Sequence, residues 1–214
     1  MAAYDLEEQE QLSAMKAWWD KYGNIITTVV AVIALGVLAW QGWTWHERSQ
    51  NDKATAMYSE VFLAAQAGDT AKLQQAANQL TTEFPGHLQA SLGALLAAKA
   101  DIDKKDEKSA RVKLTWVIEH TKEVMVKDLA RLRLASLLLD EKAYDEALKQ
   151  LEGGVTQELA ARFAEMRGDV LVEQNKLDAA KQAYKQALEK FSGGADANTL
   201  KTIVQTKLDA LGAN

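Results

Sequence analysis

One uncharged run, residues 25–45, constrains this 214-residue chain more than any other feature. The run contains no Asp, Glu, Lys or Arg. As an α-helix rising about 1.5 Å per residue, it would be about 31 Å long, which matches the hydrocarbon core of a bilayer. Tyr22, Trp40, Trp43 and Trp45 lie towards its two ends, as expected for rings at the headgroup level. The run predicts one transmembrane helix, with a buried core helix as the alternative.

The residues around this run favour an uncleaved anchor over a cleavable signal peptide. A signal peptide has a basic start, an apolar run of about 7–15 residues and a cleavage site of small residues. Here the preceding segment is mainly acidic, the run is longer, and residues 37–39 are followed by a bulky tryptophan. Lys16 and Lys21 before the run are balanced by Arg48 and Lys53 after it. The positive-inside rule therefore leaves both orientations open.

Residues 1–24 form a separate predicted region, a tail with a short amphipathic helix over residues 5–22. Its apolar side chains recur at helical spacing, its acids come first and its lysines follow, as the helix dipole prefers. We expect this helix to lie on the membrane surface and to end at Gly23, with a disordered tail as the alternative. Within the run, Gly36, Ala39 and Gly42 form a partial strip of small residues that could contact a partner helix. Exposure of the strip to lipid fits the pattern equally well.

After Trp45 the sequence predicts an all-α domain over residues 46–214. Segments with apolar side chains at i, i+3, i+4 and i+7 follow one another, the first two at 49–67 and 70–84, and no stretch alternates with period two. The predicted breaks are Ala67-Gly68-Asp69, Phe84-Pro85-Gly86, residues 101–106, Glu141-Lys142, Gly153-Gly154, Asn175-Lys176 and Ser192-Gly193-Gly194.

A repeat within this domain predicts a tetratricopeptide-like α-solenoid. Small residues at fixed positions let the two helices of a unit pack closely, and stacked units bury a shared face. The matching positions, related by one constant offset, are Ala135, Ala147 and Leu151 in one unit and Gly168, Ala180 and Tyr184 in the next. An earlier unit at Ala110, Leu114 and Val117 is looser, its turn stretched by the charged sequence DIDKKDEK. A final helix at 196–211 would cap the stack, and a plain helical bundle is the alternative.

Composition and motifs argue against catalytic, metal and nucleic-acid sites. The net charge of −5 offers no basic surface for nucleic acid, and there is no cysteine. His46, His87 and His120 are far apart in the sequence. Residues 101–106 begin like a calcium loop but lack the turn glycine and, at Val112, the bidentate glutamate, which favours a solvated loop. We predict no enzyme, no cofactor and no metal site.

The whole pattern resembles the YfgM family, small single-pass inner-membrane proteins of Gram-negative bacteria. The resemblance is densest at the front and extends over nearly the whole chain. It rests on Tyr4, Glu7-Glu8, Gln11, Lys16, Trp18-Trp19, Gly23, Trp43, Trp45-His46, Ala54, Ala56, Tyr58, Ala90-Ser91-Leu92, residues 132–151, Gly168, Ala180 and Lys207-Leu208. The charged loop at 101–108 and the linker at 192–194 depart from the family pattern.

The resemblance implies an ancillary subunit of the SecYEG translocon. It implies a cytoplasmic tail (1–24), a transmembrane anchor (25–45) and a periplasmic repeat domain (46–214). It further implies a PpiD-like membrane-anchored chaperone as partner, translocating polypeptides as possible clients, and no catalytic residues. We expect any groove in the repeat domain to be lined mainly by the first helix of each unit, with Leu132, Arg133, Arg162 and Glu165 as candidate contacts. The alternative function is a scaffold for a cytoplasmic signalling or assembly complex.

Overall fold

The computed structural model describes residues 2–191 and 197–212, and that part of the chain is all-α. Its helices are α1 (Ala2–Gln66), α2 (Thr70–Glu83), α3 (Leu88–Asp103), α4 (Glu107–His120), α5 (Val124–Asp140), α6 (Tyr144–Gln150), α7 (Gln157–Glu173), α8 (Leu177–Lys190) and α9 (Ala197–Ala210). The predicted all-α class is confirmed. The chain divides into two compact units, Met1–Asp52 and Lys53–Asn214. The predicted break at 192–194 lies outside the described residues.

The first unit consists of the N-terminal part of α1, and the expectation that a helix ends at Gly23 was wrong. The helix runs unbroken through Gly23, which lies against the Trp19 ring of the preceding turn, where an added Cβ would come within 3.0 Å of a ring atom. The hydroxyls of Thr27 and Thr28 donate to the carbonyls of Gly23 (2.8 Å) and Asn24 (2.7 Å). These side-chain hydrogen bonds lie within the unbroken helix. Within the described residues α1 is the one helix long and apolar enough to cross a membrane.

The second unit is a stack of helix pairs. Each helix from α2 to α9 packs against the next, and α5 also contacts α3 and α7. We call residues 53–66 of α1, together with α3, α5 and α7, the first helices, and α2, α4, α6 and α8 the second helices. Buried alanines and leucines fill the space between them, including Ala110, Leu114, Ala135, Ala147 and Leu151. The small residues at predicted repeat positions therefore lie in the core.

Four turns between a first and a second helix share one geometry. The second residue after the helix end has a positive φ in each: Gly68 (69°), Lys105 (61°), Lys142 (61°) and Asn175 (58°). The N–H of the next residue then donates to a carbonyl in the last turn of the first helix, at 2.8–3.0 Å, for example from Ala143 to Leu138. This closure satisfies carbonyls that would otherwise be left free at a helix end. The turns recur at nearly constant spacing along the chain, which defines four units.

Two local expectations about the charged sequence in the repeat stack were wrong. The turn after α3 is not stretched, because α3 extends to Asp103 and α4 begins at Glu107, which leaves only residues 104–106 between them. Asp101 is buried rather than solvated, and its carboxylate accepts hydrogen bonds from Gln74 Nε2 and Lys113 Nζ, both at 2.6 Å. A break at residues 121–123 was not predicted, since no glycine or proline marks it.

Helix α9 closes the described end of the stack. It packs against α8 and buries Val204 and Leu208 beside Ala164, Tyr184 and Ala187. The neighbouring Ile203 remains 44% exposed, so Val204 is the residue that faces the core. This contact agrees with the predicted capping helix.

Candidate interaction surfaces

The small-residue strip of α1, formed by Gly36, Ala39 and Gly42, is exposed. Gly36 and Gly42 have no atom within 4 Å of a position where a Cβ would be, apart from the local helix backbone, and Ala39 is exposed. The large side chains around them are also exposed, for example Leu38 (64%) and Trp40 (73%). An apolar helix exposed in this way has a surface that lipid or another helix can cover.

The predicted groove contacts lie on two first helices but do not form one exposed group. Leu132 is half-buried against the central core, and Arg133 donates weakly from Nη1 to the Leu95 carbonyl at 3.4 Å. Burial lowers the pKa of Arg133. On α7, Arg162 Nη1 is 3.3 Å from the Glu165 carboxylate, and Glu165 is only 7% exposed. The structure therefore brings Arg162 and Glu165 together, and Glu165 is occupied by its own ion pairs.

A charged network continues from Glu165 into the capping helix. Lys207 of α9 donates to Glu165 Oε1 (3.0 Å) and to both carboxylate oxygens of Asp169 (2.8 Å each). The Tyr184 hydroxyl donates to Asp169 Oδ1 at 2.8 Å. Asp169 was missed from the sequence, although Arg162, Glu165 and Asp169 follow helical spacing on one face of α7. Lys207 carried no such signal, because its partners lie two helices earlier in the chain.

The network makes the stability that the α9 contact contributes depend on pH in the alkaline range. Burial alone would lower the pKa of Lys207, but its hydrogen bonds to Asp169 and Glu165 outweigh that effect and raise the pKa above 10.5. Burial and the hydrogen bond to Asp169 raise the pKa of Tyr184 above 10.0. Both groups hold their protons more tightly when folded. Their contribution to stability is therefore complete below about pH 10 and is lost as the pH rises through the folded-state pKa values.

We expect the free energy of unfolding of the repeat domain to fall above about pH 10, and to fall less steeply in the Lys207→Met/Tyr184→Phe variant. Urea unfolding between pH 7 and pH 11 measures this slope. The variant Lys185→Met, which removes an exposed lysine of α8, is the matched control. An equal alkaline slope in all three proteins would contradict the role of the network.

A pocket of about 520 Å³ opens beside this network at the ends of α5 and α7. We call it the α5–α7 pocket, and its lining residues are Leu139, Asp140, Lys142, Tyr144, Asp169, Val172, Glu173, Tyr184 and Lys207. Leu139 and Val172 supply apolar surface, and both are half-buried. None of the predicted groove contacts lines this pocket.

A second buried ion pair fixes the connection between α6 and α7. Asp128, 1% exposed, accepts from Arg131 Nη1 at 2.9 Å and from the Thr156 N–H at 2.8 Å. The Arg131 guanidinium lies 5.1 Å from the centre of the Phe163 ring. It also donates to the carbonyls of Gln150, Glu152 and Gly154. One guanidinium thus satisfies several carbonyls of a connection that has no regular structure of its own.

No group of three or more His, Asp or Glu side chains that could hold a metal ion occurs in the described part of the chain. The charged clusters are instead paired within the repeat stack, as the Lys207 and Arg131 networks show. Two surfaces that remain open to a partner are the apolar face of α1 and the α5–α7 pocket.

Comparison with known proteins agrees with this architecture. A family model described as a tetratricopeptide repeat-like domain matches residues 16–213. The ancillary SecYEG translocon subunit of Neisseria gonorrhoeae is 32% identical over 212 residues, which cover 99% of this chain and 100% of that protein. The subunit of Haemophilus influenzae is 25% identical and covers 89% and 93%, and that of Escherichia coli is 24% identical and covers 85% and 87%.

A solved structure, a MamA RS-1 ArsTM double mutant, shares the fold with a TM-score of 0.53 at 16% identity, over 76% of this chain and 90% of that one. This similarity concerns the fold alone. The family model and the full-length relative go further, and they indicate a non-catalytic class of protein. The chain belongs to the tetratricopeptide repeat-like family of ancillary SecYEG translocon subunits, the YfgM-like proteins.

Proposed function

We propose that this chain is a membrane-anchored ancillary subunit of the SecYEG translocon. The similarity to the Neisseria subunit over the full length of both chains is the observation that carries the proposal. The apolar helix supports it, because its exposed face needs lipid or a neighbouring membrane helix around it. Gly36, Ala39 and Gly42 would allow the backbone of such a neighbour to approach closely.

In this proposal the tail (1–24) is cytoplasmic, residues 25–45 span the inner membrane, and the repeat domain (46–214) is periplasmic. The repeat domain contacts a PpiD-like chaperone or the translocating polypeptide itself. A stack of helix pairs suits this role, because it presents an extended surface without needing a catalytic site. Arg162, 43% exposed at its side chain, is the best placed of the predicted groove contacts to reach a partner, whereas Leu132 and Arg133 are half-buried on α5.

Photo-crosslinking in cells tests this function. A photoreactive amino acid at Gly36, Ala39 or Gly42 is expected to yield adducts with translocon subunits, because Gly36 and Gly42 face open space and Ala39 is exposed. The same amino acid at Arg162 is expected to yield adducts with a periplasmic chaperone or a translocating chain. Mass spectrometry of the adducts identifies the partner in each case.

Two controls keep the result interpretable. The control position is Lys72, whose side chain is 78% exposed. It lies on α2 in the first helix pair, whereas Arg162 lies on α7 in the fourth. A photoreactive amino acid at Lys72 should give none of the Arg162 adducts. Adducts of the Arg162 variant with cytoplasmic proteins alone would reverse the proposed orientation and favour the scaffold function. Absence of translocon adducts from all three span positions would contradict the anchor's proposed place.

A further inference from the structure

We infer that the α5–α7 pocket binds an extended polypeptide segment in which a lysine or arginine side chain stands next to an apolar one. This inference rests on the proposed function, in which the repeat domain contacts another polypeptide, and it names the chemistry that this contact would recognise. The pocket, about 520 Å³, is large enough for one or two side chains.

The apolar part of the pocket comes from the last turns of the two first helices. Leu139 of α5 and Val172 of α7 both line it, and the rings of Tyr144 and Tyr184 add to this surface. The Tyr184 hydroxyl is already bonded to Asp169, so its ring contributes chiefly carbon atoms. An apolar side chain from a partner would lose water contact here and gain contacts with these groups.

The charges of the pocket do not balance. Asp169 is neutralised by Lys207, which leaves neither group free for a ligand. Asp140 and Glu173 are both exposed, and neither has a cationic nitrogen within 4.0 Å among the described residues. Lys142, also exposed and without such a partner there, supplies a single positive charge against these two carboxylates.

The helices make this imbalance stronger. Asp140 is the last residue of α5, and Glu173 is the last residue of α7. The C-terminal end of a helix carries partial negative charge, so a carboxylate there is unfavourable and a cation favourable. Two adjacent helices thus end beside one cavity, and each adds a carboxylate to the partial negative charge of its end. A guanidinium or ammonium group placed between them would offset both.

Neither part of the pocket alone defines the ligand. A free inorganic cation or a small amine would leave Leu139 and Val172 uncovered, and an uncharged apolar segment would leave Asp140 and Glu173 unpaired. A polypeptide with adjacent cationic and apolar side chains satisfies both surfaces at once.

Fluorescence anisotropy with the full chain in phosphatidylcholine nanodiscs tests this recognition, with empty nanodiscs as the blank. The probe is a fluorescein-labelled peptide with several Leu-Arg pairs separated by serine. In one matched peptide each Arg is replaced by Glu, and in another each Leu is replaced by Ser. We expect the Leu-Arg peptide to bind more tightly than both, and added salt to weaken it.

The variant Asp140→Asn/Glu173→Gln is expected to bind the Leu-Arg peptide about three- to tenfold more weakly, the effect of removing two partly exposed charge contacts. Its control, Glu119→Gln/Glu189→Gln, removes two exposed carboxylates outside the pocket and should bind like the unchanged chain. Circular dichroism should show equal helix content in all three proteins. The thermal midpoint of the Asp140→Asn/Glu173→Gln variant should be no lower than that of the unchanged chain, because the variant removes unfavourable charges at helix ends.

Equal binding of the Leu-Arg peptide by the unchanged chain and by Asp140→Asn/Glu173→Gln would overturn the inference. Equal binding of the Glu-containing or the Leu-free peptide would do the same. Neither result would touch the proposed translocon association, which is read separately from crosslinks at the span. Loss of those crosslinks with pocket selectivity intact would contradict the proposed function and leave the peptide preference standing.

Discussion

Replacing Asp128 by alanine is expected to lower the free energy of unfolding of the repeat domain by about 3–5 kcal/mol, the usual cost of removing one partner of a buried ion pair. The side chain is 1% exposed and bonds both Arg131 and the backbone of Thr156. Without it, the Arg131 guanidinium stays buried without a counter-charge, and the Thr156 N–H loses its acceptor. The loss should be largest in the connection at 151–156.

Urea unfolding in nanodiscs gives the free energy, and hydrogen exchange at the amides of residues 151–156 locates the change. The matched control is Asp103→Ala, which removes the Lys99–Asp103 ion pair (2.8 Å) of α3. Both side chains of that pair are about 60% exposed, so the expected loss is below about 1 kcal/mol. Equal losses in Asp128→Ala and Asp103→Ala would show that the buried pair is no more important than a surface pair.

Replacing Gly168 by alanine is expected to destabilise the last repeat by about 1–3 kcal/mol, although alanine is the better helix former. A Cβ on Gly168 would lie 2.4 Å from Cε1 and 2.5 Å from Cδ1 of Tyr184. That ring is 3% exposed and held by its hydrogen bond to Asp169, so it cannot simply move aside. Thermal unfolding of the full chain measures the effect.

Two comparisons isolate the clash. Gly93→Ala places its Cβ 3.1 Å from the end of the flexible Leu80 side chain, so a smaller loss is expected. Tyr184→Leu should lower the stability of the Gly168→Ala variant by less than it lowers that of the unchanged chain, because it removes the ring that causes the clash. Tyr184→Phe should give no such relief, since the nearest atoms are ring carbons. Fully additive losses for Gly168→Ala and Tyr184→Leu would contradict this explanation.

Most of the fold could be predicted from the sequence, because its main signals are local. The length of the uncharged run at 25–45 indicates the apolar helix. Small residues at fixed spacing indicate the paired helices, as where Gly168 packs against Tyr184. Predictions failed where the local cue was misleading or missing. Gly23 suggested a break, but the Trp19 ring covers it within a continuous helix. Residues 121–123 separate α4 from α5 without a glycine or proline to mark the end of the helix.

The candidate surfaces were less predictable, because they depend on residues far apart in the chain. Arg162 and Glu165 could be paired from their spacing on one helix. Lys207 could not be assigned to them, since its role depends on how α9 folds back onto α7. The α5–α7 pocket likewise depends on two helix ends meeting, and a single carboxylate at a helix end looks ordinary in a sequence.

The four similar turns give the repeat stack one constant edge and one variable edge. The connections from a first to a second helix (67–69, 104–106, 141–143 and 174–176) are all equally short and share the same positive-φ closure. The connections back to the next first helix, at 84–87, 121–123 and 151–156, differ in length. Short connections make successive helices alternate in direction, so the two kinds of connection lie on opposite edges. Insertions can therefore accumulate along the variable edge while the constant edge preserves the spacing of the units and the pocket beside Asp140 and Glu173.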